Sequence, residues 1–243
     1  MTPVEGGAAL VTGAGGGIGG AIVTELASRG VAVGLVGRRQ APLVRVAKTL
    51  GGSRHFVYEA DLASDADVRA TASSFVDRFG RLDLLVHSDG THCTGLLEHA
   101  DVHEFDRLWS TNVRSPFLLT QLLLPALRAS FGQIVFINSS VGLRAPSGVG
   151  QFSATQHALR ALADTLRAEL NPEGIRVLSV FPGRTATERQ RKIFRDEGRQ
   201  YSPEKLLQPE DIATVVVDAL ALPRTAEVTD IQVRPMVDPL AST

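Results

Sequence analysis
Short, continuously apolar runs alternate along this chain with stretches of helical periodicity, and this alternation narrows the possible folds more than any other feature. Strands are expected at residues 8–12, 31–36, 55–59, 82–87, 133–138, 175–181 and 231–234. Helices are expected near residues 18–29, 42–50, 65–79, 104–129, 151–170 and 209–219. A strand with one wet face alternates apolar and polar residues. Most of these strands do not, so both faces of their sheet must be covered. The pattern predicts an α/β chain, a parallel sheet of about seven strands flanked by helices. No linker or internal repeat interrupts it, so residues 1–243 read as one domain, long enough to bury a substantial core.

Charge and composition exclude several function classes. Twenty-five Lys and Arg face 26 Asp and Glu, which gives no electrostatic pull toward nucleic acid or an anionic membrane. No run reaches the ~18 apolar residues of a membrane span. Residues 1–7 show no basic flank before an apolar run, so no signal peptide is expected. The single cysteine, Cys93, excludes an internal disulfide and agrees with a reducing compartment. His99 and His103 are four apart but have no evident third ligand, so no metal site is expected. A cytoplasmic protein acting on a small molecule is the simplest expectation.

Thr12-Gly13-Ala14-Gly15-Gly16-Gly17-Ile18-Gly19 directly follows the first strand and opens a helix. Glycines there let the backbone turn tightly and approach a pyrophosphate, held against the free N–H groups of the helix start. A tight structural turn would have much the same composition, but a strand before it and a helix after it favour dinucleotide binding. At the end of the second strand, where an acidic residue would hydrogen-bond the ribose of NAD, the chain has Gly37, then Arg38 and Arg39. A guanidinium can hold a 2′-phosphate, which favours NADP(H) over NAD(H). The less favoured alternative is that both arginines are solvated loop residues.

The spacing of Gly13, Gly17 and Gly19 resembles the T-G-x-x-x-G-x-G form of the short-chain dehydrogenase/reductase family. That resemblance runs from about residue 8 to residue 234 and implies a Rossmann-type, doubly wound sheet. It implies that Gly13, Gly15, Gly17, Ile18 and Gly19 cradle the cofactor and that Asp61 and Leu62 hold the adenine. In His87-Ser88-Asp89-Gly90 only Gly90 matches the family's usual Asn-Asn-Ala-Gly; Asp89 is either a new functional group or a turn-stabilising residue. Pro182, Gly183 and Thr187 match the loop that wraps the nicotinamide half. Asn112 aligns with the Asn that holds a water of the proton relay, and Ser139 with the Ser that positions a substrate carbonyl. Residues 188–209 align with the variable substrate loop. Family members commonly form dimers or tetramers through their two long helices and last strand, so a homodimer or homotetramer is expected.

The resemblance breaks where the reaction is carried out. The family's hallmark is a Tyr followed four residues later by a Lys; here Phe152 and Gln156 stand at those positions. Carbonyl reduction needs a hydride from the cofactor and a proton for the nascent alkoxide. A free Tyr has a pKa near ~10, and the Lys brings it toward neutrality. Phe152 has no proton to give, and Gln156 carries no charge but could still hydrogen-bond a ribose hydroxyl. Loss of a positioned acid costs ~10²–10⁴ in rate. Both replacements preserve shape, which points to a maintained pocket with altered chemistry. His92 and Tyr201 read first as surface residues, though either could bring a substitute acid, whereas His157 is rotated roughly 100° from Gln156 and should face away. Three readings stay open: an oxidoreductase whose proton comes from Ser139, water or substrate; a non-redox dehydratase, isomerase or cyclase; and a catalytically silent cofactor-binding or partner subunit.

Overall fold
A computed structural model describes residues 6–52 and 54–238, leaving Met1 to Glu5, part of the segment read for a signal peptide, outside the described residues. Its seven strands form one parallel sheet: β1 (Ala8–Thr12), β2 (Ala32–Gly37), β3 (Phe56–Glu59), β4 (Leu84–His87), β5 (Gln133–Ile137), β6 (Arg176–Pro182) and β7 (Asp230–Val233). The spatial order is β3-β2-β1-β4-β5-β6-β7. Winding proceeds outward from β1 on one side and from β4 on the other, so this is the expected Rossmann-type, doubly wound α/β domain. The direction reverses between β1 and β4, and a crevice opens there at the carboxyl ends of the strands.

The alternating faces of each strand explain the uninterrupted apolar runs. Ala9, Val11, Leu84, Val86 and Val135 join one buried cluster, which includes α1 (Gly17–Ser28) and α8 (Pro209–Leu220). Their neighbours Ala8, Leu10, Leu85, Ile134 and Phe136 join the other, with α3 (Asp65–Phe79), α5 (Ser115–Ser130) and α6 (Gly150–Leu170). Neither set faces water, so the strands need no polar alternation. α2 (Gln40–Thr49) closes the β2 side through Leu43.

Two segments differ from the expected pattern. Residues 104–129 do not form one helix: α4 (Val102–Trp109) passes through a π turn at Ser110–Arg114 into α5. Pro116 has no N–H to continue the ladder to residue 112, and the Ser115 N–H reaches back five residues to the Ser110 carbonyl. Residues 188–209, read as a loop, begin with a helix, α7 (Glu188–Asp196). Its composition is mostly charged, so apolar periodicity could not reveal it. Thr187 followed three residues later by Gln190 was the available signal, and the Thr187 hydroxyl oxygen does accept the Gln190 N–H at 3.1 Å.

Candidate functional site
The turn from β1 into α1 requires glycine at two places. Gly13 has φ +67°, and a Cβ there would lie 2.8 Å from the Ser88 carbonyl oxygen and 2.9 Å from the Asp89 backbone. A Cβ on Gly19 would lie 2.5 Å from the Gly13 carbonyl oxygen. These two close the turn against the end of β4. Gly15 backs onto Pro42, and Ile18 packs against the core. Gly16 faces open space, while a Cβ on Gly17 would lie 3.2 Å from the Thr187 methyl. The start of α1 has no side-chain cap, so its leading N–H groups are left for an anion. A dinucleotide fits here: the cradle is bare backbone, open on one side and floored by residues that no side chain could join.

Charged groups gather beyond the cradle. Gly37 ends β2 against Leu43, and Arg38 follows it, exposed and without an ion pair to any described residue. Arg39 forms the N-cap position of α2. The Asp61 carboxylate accepts the Ala63 N–H at 3.1 Å, and the Leu62 side chain is buried in the core. Asp89 accepts the Gly90 N–H at 2.9 Å, the local turn contact expected of Asp before Gly. It also feels the charges of Arg189, Arg38 and Asp61. Burial pushes its carboxyl above the ordinary value, opposed by Arg189, the Gly90 N–H and Arg38. Arg189, from the first turn of α7, donates to the Gly90 carbonyl and so ties α7 across the groove. Pro182 ends β6 paired with Val233, and Gly183 sits against Pro235.

At the other end of the crevice, α6 presents a buried stripe of Phe152, Thr155, Gln156, Leu159 and Ala163. Phe152 and Gln156 therefore stand one turn apart on the same face. His157, one step on, bonds its own helix through Nδ1 to the Ser153 carbonyl at 2.9 Å. Asn112 lies in the π turn. Its amide donates to the Thr91 carbonyl (2.9 Å) and to Thr155 Oγ1 (3.1 Å), and its oxygen accepts the Thr91 N–H (2.7 Å). Both amide protons are thus spent on protein groups, clipping the loop after β4 to α6. Ser139, half-buried at the end of β5, accepts the Val141 N–H at 3.4 Å. Asn138 went unread in the sequence, yet it accepts the Ser139 N–H (2.7 Å) and donates to the Gln156 carbonyl (3.0 Å). Asn after a strand is too common to have marked it.

His92 reaches this end as well. Its ring packs edge-on against Phe152, with centroids 4.7 Å apart and planes at 64°. Burial, reinforced by the charges of Arg189 and Arg184, pulls its imidazole down to about 4, so it is neutral near pH 7. Tyr201 lies edge-on to Phe194 at 5.7 Å and under Arg191. Among the described residues no group of His, Cys, Asp or Glu could hold a metal ion, and no helix is long and apolar enough to cross a membrane.

A glycine cradle at the switch point, with Asn, Ser and an α6 face converging on it, can be matched against known proteins. The family model for short chain dehydrogenases matches residues 7–198. The chain belongs to the short chain dehydrogenase family. An uncharacterized oxidoreductase from Staphylococcus aureus (strain USA300) is 32% identical over 239 residues, covering 97% of this chain and 100% of that relative. An alcohol dehydrogenase from the archaeon Thermococcus sibiricus, complexed with 5-hydroxy-NADP, superposes with a TM-score of 0.86 at 27% identity, covering 97% of this chain and 99% of that one. A 3-ketoacyl-(acyl-carrier-protein) reductase from Brucella melitensis, complexed with NADH, gives a TM-score of 0.84 at 29% identity, covering 96% and 98%. In this short chain dehydrogenase, as in the fold generally, the crevice lies at the carboxyl ends of the strands.

Proposed function
We propose that this short chain dehydrogenase is an NADP(H)-dependent oxidoreductase acting on a small-molecule carbonyl or alcohol, with Phe152 and Gln156 in place of the usual Tyr and Lys. The observation that carries the reading is the cradle of Gly13, Gly16, Gly17 and Gly19, with Arg38 exposed at the neighbouring strand end. The glycine loop and the start of α1 would hold the diphosphate. Arg38 would hold a 2′-phosphate; Gly37 brings no carboxylate to repel it. Thr187, facing Gly17 across the groove, would border the nicotinamide half. When bound, the dinucleotide supplies or accepts the hydride.

This chain's own residues have three tasks. They orient the carbonyl, exclude water and supply a hydrogen bond to its oxygen. Phe152 walls the pocket with an apolar ring, and Ser139 offers a hydroxyl at the end of β5. The experiment is a fluorescence titration with NADPH and NADH, followed by NADPH consumption with a panel of ketones, enones and imines. The reading expects tighter binding of NADPH and turnover of at least one carbonyl class. Failure to bind either dinucleotide contradicts it.

The same reading places the protein in the cytoplasm as a homodimer or homotetramer. Leu97, Val102, Trp109 and Phe117 are large apolar side chains exposed on or beside α4 and α5, a face suited to a second copy. Sedimentation velocity checks this, and a monomer at all concentrations contradicts it.

A further inference from the structure
We propose that His92 is the catalytic hydrogen-bond donor to the substrate oxygen, standing beside position 152 where a Tyr phenol would project. The inference rests on the oxidoreductase reading above and deepens it by naming the group that serves the oxygen. Its basis is the edge-on contact of the His92 and Phe152 rings at 4.7 Å. Neither nitrogen of the His92 ring is hydrogen-bonded to a described residue. The ring is half-buried, so part of it reaches solvent.

The contact is held from both flanks. On one side, both main-chain groups of Thr91 are bonded to the Asn112 amide. On the other, the Cys93 thiol donates to the Gln151 side-chain oxygen at 3.1 Å, and the Gln151 amide donates to the Asp101 carbonyl at 2.8 Å. The Gly95 N–H also reaches the Gly148 carbonyl at 2.8 Å, and Gly95 bridges to Val149. The loop after β4 is therefore stitched to the start of α6 on either side of the His92–Phe152 pair. Such fixing is what a positioned donor needs, because it removes the reorganisation cost at the moment of reaction.

The charge state suits a donor. Arg189 and Lys192 of α7 and Arg184 after β6 disfavour the imidazolium, Glu197 opposes them, and burial acts most strongly. A neutral imidazole keeps one N–H and one lone pair. As hydride from a reduced nicotinamide would reach the carbonyl carbon, the π electron pair would move to oxygen. The His92 N–H would bond this oxygen and pass its proton to it, while the other ring nitrogen would take a proton from solvent water, whose hydroxide the buffer neutralises. The ring ends as the opposite tautomer, and the net proton comes from solvent.

The test joins spectroscopy of the cofactor-free protein to kinetics. The His92 imidazole resonance, assigned by its loss in His92→Leu, should move when Phe152→Tyr places a hydroxyl beside it. An unmoved resonance contradicts the contact and overturns the proposal. In turnover, His92→Leu should cut kcat for carbonyl reduction by ~10²-fold at unchanged NADPH affinity, and His92→Gln, which keeps an N–H donor, should recover part of it. Wild-type turnover matched by His92→Leu overturns the role of His92 and leaves the oxidoreductase reading standing. NADPH binding with no carbonyl turned over by the wild type brings down that reading, and this role with it.

Discussion
The glycine cradle and the N-terminal end of α6 serve the same crevice by different means. The cradle is a matter of backbone shape: Gly13 and Gly19 are confined by backbone atoms that cannot yield. At α6, side chains come together from separate segments: His92 packs on Phe152, and Asn112 bonds Thr155. The first arrangement tolerates almost no substitution. The second can exchange one functional group for another while its apolar wall stays in place. The difference lies between a site fixed by main chain and one assembled from side chains.

The sharpest way to break this contrast is Gly13→Ala. A positive φ costs an L-residue roughly 1–2 kcal/mol, and the new methyl would press on the Ser88 and Asp89 backbone. NADPH binding should fall below detection by fluorescence titration. Retained binding would show that the cradle is as adaptable as the α6 end.

Arg38→Ala sharpens the comparison within the cofactor half. A charge-assisted contact contributes about 1.5–3 kcal/mol, equivalent to roughly 10–150-fold in affinity. NADPH affinity should fall by that order with NADH affinity unchanged. An equal loss for both dinucleotides would assign Arg38 to the diphosphate instead.

His87 and His92 are five residues apart and both neutral, but their surroundings differ. His87 is buried at the end of β4, stacked on Phe136 with its Nε2 2.8 Å from Thr120 Oγ1, and burial lowers it to about 3. The unfolded chain therefore binds more protons than the folded one between about pH 6.5 and that value. Stability should fall as pH drops through this window, by up to about 1.4 kcal/mol per pH unit. Urea titrations should show a flatter pH dependence in His87→Gln. Phe152→Tyr should have the smallest effect, changing stability by less than about 1 kcal/mol, since only a hydroxyl is added at the edge of the crevice. A much larger urea-midpoint shift would mean that the α6 wall is as tightly confined as the cradle.

Legibility in sequence followed the same division. The strands could be read because helices cover both sheet faces, so burial is continuous along each run. The glycine loop could be read because its constraint is local. α7 escaped because few of its residues are apolar, and its cap was the only sign. The break between α4 and α5 falls at a π turn just before Pro116, where the Ser115 N–H reaches back to Ser110, and apolar periodicity does not register such a turn. His92 was considered as a substitute acid, but its contact with Phe152 spans 60 residues and depends on Asn112, Cys93 and Gln151. Asn138 could not be identified at all, because its role exists only once β5 and α6 are packed.

NADPH consumption by the wild-type protein and by the Phe152→Tyr/Gln156→Lys double variant, against the same carbonyl panel, decides whether the side chains present suffice for turnover. The wild type should turn over at least one carbonyl class with its own residues. Turnover by the double variant alone would contradict it.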